Sequence, residues 1–112
     1  MADPNLKAFA SIQNKGFRMT FKNGVTASVQ FGPANYCDAR NYAIGAFDAP
    51  MKTENGCWDS ETAEVAAWDK DGNWVTKEVL PGINGDVDGW LTPDHVLEFL
   101  IGCAKLHVME VK

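Results

Sequence analysis

Residues 16–37 read GFRMTFKNGVTASVQFGPANYC, and the reading of this stretch decides the fold. Phe17, Met19 and Phe21 alternate with Arg18, Thr20 and Lys22; after Asn23-Gly24, Val25, Ala27, Val29 and Phe31 alternate with Thr26, Ser28 and Gln30. Two period-2 runs around an Asn-Gly are the strongest short-range signal for a β-hairpin. A two-residue turn would set Phe21 opposite Thr26 and mix apolar with polar residues on both faces. A three-residue loop, Lys22-Asn23-Gly24, sets Phe21 opposite Val25, Met19 opposite Ala27 and Phe17 opposite Val29. All the apolar residues then share one face. A one-residue slip flips a whole strand, so the two registers exclude one another. The second is predicted, with a type I turn, Gly24 in the left-handed region and a bulge. The opposite face, with Arg18, Thr20, Thr26, Ser28 and Gln30, is expected to meet water or a partner.

Upstream, residues 1–14 are mixed. Asp3-Pro4-Asn5 is turn-like and Leu6, Phe9 and Ile12 have helical spacing. This stretch reads as an N-terminal extension to a single α+β domain over 15–112, and a short helix or a first strand within it stays open. Downstream, residues 32–62 recur in Gly, Pro, Asn and Asp with no sustained period, so they read as turns, with room for a short strand near Tyr42 to Phe47. A second hairpin is predicted from Ala63 to Trp68, through the turn Asp69-Lys70-Asp71-Gly72-Asn73, back along Trp74 to Val79. Thr92-Pro93-Asp94 then opens a helix to about residue 106. Val96, Leu97, Leu100, Ile101 and Ala104 form its apolar stripe, expected over Val65, Ala67 and Val75. Gly102 inside it costs ~1 kcal/mol relative to Ala, which close packing there would explain. The fold class expected is therefore α+β: an antiparallel sheet built from two hairpins, with one C-terminal helix packed on one face.

The chain has 112 residues, enough for one core, and a net charge of −5. An acidic surface argues against non-specific nucleic-acid binding. No apolar run approaches the ~20 residues of a membrane helix and no secretory leader is visible, so a cytoplasmic protein with no membrane partner is expected. Three cysteines, Cys37, Cys57 and Cys103, are too few and too far apart for a disulfide framework and read as reduced, packed thiols. No cofactor is expected.

Few residues point to chemistry. Asp69 to Asn73 resembles half a calcium loop, but the twelfth position holds Leu80, where a bidentate Glu is needed, so a turn is the better reading. Asp86, Asp88 and Asp94 suit turns and a helix cap as well as a cation site. Cys37 lacks a nearby histidine in sequence to serve as a base. What remains is Asn35-Tyr36-Cys37-Asp38-Ala39-Arg40-Asn41-Tyr42. Aromatics stack on planar bases, Arg forks onto phosphate and Asn reads donor–acceptor edges. The candidate ligand-binding set is Asn35, Tyr36, Arg40, Asn41, Trp58 and Trp90. The competing reading makes the tyrosines caps of the core edge and pairs Arg40 with a surface acid.

The strings GFRMTFKNGVTASVQFGPANYC, AEVAAWDKDGNWV and GWLTPDHVLEFL together resemble a group of short bacteriophage-encoded proteins of uncharacterised activity. Those share the aromatic hairpin with its N-G turn, the V-Q-F-G…N-Y-C segment, and the G-W-x-[ST]-P helix start. The resemblance covers roughly residues 16 to 102. It implies a phage origin, the cytoplasm of an infected bacterium, and an accessory role against host defence. Three functions follow as expectations. The first is a non-enzymatic sponge that sequesters a small nucleotide-derived immune signal, with oligomers burying the ligand. The second is a protein–protein inhibitor of a host defence nuclease or effector. The third is a small nucleotide hydrolase using the Asp cluster.

Overall fold

The computed structural model describes residues 7–12, 15–32, 35–37, 60–83 and 85–107. Five strands form one sheet in chain order: β1 (Phe9–Ser11), β2 (Gly16–Thr20), β3 (Thr26–Gln30), β4 (Ala63–Trp68) and β5 (Val87–Leu91). Every neighbouring pair is antiparallel. A four-residue helix, α1 (Thr76–Val79), precedes β5, and α2 (Pro93–Lys105) follows it. The protein is thus α+β, with five strands where two hairpins were expected.

The β2–β3 hairpin has the predicted register. Phe17 stands opposite Val29 and Met19 opposite Ala27. The Phe21 amide donates to the Val25 carbonyl (2.9 Å), closing the three-residue loop, and Gly24 takes φ 87°. Asn23 does more than turn the chain. Its Oδ1 accepts from the Val25 amide (3.0 Å), while its Nδ2 donates to the carbonyls of Cys103 (2.8 Å) and Leu106 (2.9 Å) at the end of α2. One turn residue therefore closes a helix eighty positions away, satisfying carbonyls that a helix end leaves orphaned. Within the stretch read as an N-terminal extension, β1 pairs with β2 and adds an edge strand.

The second hairpin is a correction. Its outgoing strand, β4, forms as predicted, and the turn is held by Asp69, whose Oδ1 accepts from the amides of Asp71 and Asn73 (both 2.9 Å). The return strand survives only as a bridge from Trp74 to Trp68 and one bond from the Val75 amide to the Ala67 carbonyl (2.9 Å). At Thr76 the chain turns into α1. The Thr76 hydroxyl, fully buried, accepts from the Ala67 amide (2.9 Å) and lies 2.7 Å from the Asp86 carbonyl. A side chain thus occupies the place that a returning backbone carbonyl would fill. The edge of β4 freed beyond it is taken by β5.

Helix α2 begins where expected, with the Thr92 hydroxyl accepting from the His95 amide (3.3 Å) and Pro93 in the first turn. It lies over β3, β4 and β5 and against α1. Its buried residues are Phe99 and Cys103, packed with Val25, Ala27, Val65 and Ala67. This corrects the predicted contact face. Val96 and Leu100 border the core, but Leu97 is 57% and Ile101 45% exposed. At 100° per residue the predicted stripe is turned about a quarter of a circle away from the line that meets the sheet. Gly102 helps to set that rotation. A Cβ there would sit 2.8 Å from Cγ1 of Val79, so the close packing inferred from this glycine is against α1. The strand suggested near Tyr42 to Phe47 lies outside the described residues.

Candidate functional site

The sheet face turned away from α2 was expected to meet water or a partner. Its residues are instead largely closed off: Thr26, Ser28, Ala66 and Trp68 are all buried. The face is built in rows set by the register. Ala10, Arg18, Ser28, Ala66 and Val87 run across its middle. Small side chains on both sides of Arg18 leave its guanidinium as the dominant group there. On one flank stand Thr20, Thr26 and Trp68, with the two threonine hydroxyls 2.9 Å apart. On the other stand Gln30 and Glu64.

Arg18 lies over the Trp68 ring, its Cζ 5.5 Å from the centroid. The same indole meets Trp74 edge-to-face at 5.6 Å and 80°. A cation held this way gains ~0.5–2 kcal/mol. Yet Nε of Arg18 is buried and has no hydrogen-bond partner among the described residues. A buried donor on a charged group left unpaired costs more than the ~1–3 kcal/mol of a neutral one. Among the described residues this Nε is the one buried side-chain polar atom left without a partner.

The opposite flank is the reverse, a connected polar network. Gln30 Nε2 donates to the Ser28 hydroxyl (3.1 Å), and Asn35 Nδ2 donates to Gln30 Oε1 (3.1 Å) and Glu64 Oε1 (3.3 Å). Asn35 Oδ1 accepts from the Gly32 amide (2.8 Å), and Glu64 Oε2 accepts from the Tyr36 amide (2.7 Å). These bonds hold residues 35–37 against the sheet. They also place Tyr36 beside β5, where the Trp90 amide donates to the Tyr36 carbonyl (2.8 Å). That donor is free because β5 carries a bulge: Ala63 pairs with Leu91 and Val65 with Asp88, so Gly89 and Trp90 together face Glu64. Gly89 is needed there, since a Cβ would stand 2.5 Å from that of Tyr36. Trp90 takes φ 55°, a conformation unfavourable for an aromatic residue, and is 52% exposed. Its ring meets Tyr36 at 5.8 Å, tilted by 35°.

Three of the six sequence-predicted residues are therefore brought together, in distinct roles. Asn35 is buried and structural, while Tyr36 and Trp90 form an exposed aromatic pair. Arg40, Asn41 and Trp58 lie outside the described residues. Arg18, Trp68 and Glu64 were not in the predicted set. The alternation that placed Arg18 on the polar face of β2 was the available signal for it; Trp68 and Glu64 fall on the same face only through the β3–β4 register.

Among the described residues no three His, Cys, Asp or Glu side chains converge to hold a metal. Cys37 is buried and its thiol points to the Gly32 carbonyl (3.5 Å). Burial pushes the Cys103 thiol from 9.0 up to about 12, so it stays protonated and unreactive. No described helix is long and apolar enough to cross a membrane. Comparison with known protein families, curated proteins and solved structures returns no match.

Proposed function

We propose that the protein is a non-catalytic binder that captures a small, planar, anionic molecule of nucleotide type on the polar face of the sheet. The observation that carries this reading is Arg18: a guanidinium stacked on Trp68, with a buried Nε that lacks an acceptor. A phosphate or an anionic ring edge supplies that acceptor, and an arginine fork suits it in geometry and charge. Beside Arg18 lie Trp68, buried beneath the guanidinium, and the polar groups of the Ser28–Gln30–Asn35–Glu64 network. The surrounding burial favours tight stoichiometric capture, because electrostatic attraction strengthens away from water. In the setting implied by the resemblance to phage proteins, the ligand is a nucleotide-derived immune signal of the host and the protein a sponge for it.

The test is a thermal-shift and calorimetric screen against cyclic nucleotides and cyclic ADP-ribose isomers. One of them should raise Tm with a stoichiometric endpoint, be released intact on heating, and lose its effect in Arg18→Met. Turnover of the ligand at catalytic protein levels would show a hydrolase instead. No shift with any member of the panel would end the ligand reading.

The Tyr36–Trp90 pair favours a second reading, inhibition of a host defence protein. Exposed Trp and Tyr at a strained bulge are the residue types on which protein interfaces concentrate their energy. Tyr36→Ala with Trp90→Ala should then abolish anti-defence activity in infected cells while Arg18→Met leaves it intact. The sponge reading requires the Arg18 variant to be the inactive one.

A further inference from the structure

The helix-bearing side of the sheet carries two exposed apolar surfaces among the described residues. A sheet of five strands is ~20 Å wide and a helix is ~10 Å across, so one helix covers about half of it. Helix α2 lies over β3, β4 and β5. On the β1–β2 half, Phe9 and Ser11 pair with Met19 and Phe17, which pair in turn with Ala27 and Val29, so all project on the helix side. Phe9 there is 72% exposed. The second surface is the flank and outer face of α2, with Leu97 at 57% and Ile101 at 45%. Between α2 and the sheet runs a groove of about 480 Å³, lined by Val29, Phe31, Val96, Leu97 and Leu100 among others.

We propose that these surfaces cover one another in a homodimer. Two copies pack with their helix-bearing faces together. The α2 of each then lies beside the α2 of the other, along the groove, and over the other's β1–β2. The outer face of the helix, Leu97 and Ile101, meets Phe9, Phe17 and Met19 of the second copy. A two-fold interface requires one patch to be its own complement. This patch is: it holds one exposed helix face and, on the sheet beside it, the exposed Phe9 with the part-buried Phe17 and Met19. Its charges agree as well. Asp94 and Glu98 are exposed on α2, and Lys7 and Lys22 are exposed where β1 and β2 end, so acids of one copy approach lysines of the other. The same arrangement accounts for an amphipathic stripe on α2 that is wider than its own sheet can bury.

Sedimentation equilibrium tests this on the full chain. The mass should be twice the 12.3 kDa of one chain. Leu97→Glu, Ile101→Glu and, on a different element, Phe9→Glu should each give monomers with an unchanged circular-dichroism spectrum, because all three side chains are exposed in the single copy. The double variant Phe9→Cys, Ile101→Cys should form a crosslink between copies on oxidation that neither single variant forms. A wild-type mass of one chain at every concentration would overturn the proposal. So would dimers that survive all three charge insertions, or a double variant that crosslinks no better than the single ones.

Discussion

At the scale of single residues, the polar face of the sheet holds a buried donor that the proposed ligand would satisfy. Among the described residues the buried Nε of Arg18 has no acceptor, a cost set against the gain from the guanidinium lying over Trp68. Arg18→Met keeps an unbranched apolar side chain at this position and removes the buried donor, so chemical denaturation should show it equal to the wild type or more stable, by up to ~1–2 kcal/mol. A clear loss of stability would mean that the cation–π contact outweighs the unsatisfied donor. Cys103 makes a separate prediction. Its folded-state pKa of about 12 lies above the 9.0 of an exposed thiol. The protonated form is thus favoured by folding, and its contribution is complete below pH 9 and lost as pH rises toward 12. Unfolding midpoints across that interval should fall less steeply in Cys103→Ala than in the wild type. Parallel slopes would show the thiol to be uncoupled from folding.

Between elements, two contacts join parts of the chain that no local rule connects. Asn23 caps α2 from the hairpin turn. Asn23→Ala removes two donors to helix carbonyls and the acceptor for the Val25 amide, and should cost about 2 kcal/mol in urea denaturation. Asn23→Asp should be no better, since it keeps the turn acceptor but sets a negative charge at the negative end of the helix. A cost below about 0.5 kcal/mol for either would show that the cap is dispensable. Gly102 is the second contact. On propensity alone Gly102→Ala should stabilise a helix by ~1 kcal/mol. Here the new methyl meets Val79 at 2.8 Å, and the expected result is a net loss of about 1 kcal/mol as α1 is pushed from α2. Stabilisation instead would mean that α1 yields freely.

For the whole molecule, the proposed dimer would make association part of stability. If the helix-bearing faces pair, Tm of the wild type should rise with protein concentration, because dimerisation stabilises the folded state by mass action. The Tm of Leu97→Glu should not depend on concentration. Added salt should lower the wild-type slope modestly, since the lysines and acids at the rim are exposed and screened. The proposed site and the proposed dimer face lie on opposite sides of the sheet, so a ligand response retained by Leu97→Glu would separate the two.

Local chemistry carried most of what was legible. The β2–β3 register followed from alternation and one turn, because period 2 permits only one arrangement with a single apolar face. The start of α2 followed from Thr92-Pro93-Asp94, because capping is a matter of adjacent residues. The second hairpin was misread for the opposite reason. Trp74 to Val79 alternates well enough for a strand, but the Ala67 amide is claimed by the Thr76 hydroxyl and the rest of the β4 edge by β5, partners that periodicity does not register. The apolar stripe of α2 was also real, yet Phe99, Cys103 and the Gly102–Val79 contact decided which face turned inward. So too with the site: Arg18 was placed on the polar face by sequence, but its stacking on Trp68, and the meeting of Tyr36 with Trp90, depend on strands far apart in the chain. The sequence by itself determined elements whose energetics close within a few residues. Only the tertiary structure decided the contacts in which one buried donor or one helix face chooses among distant partners.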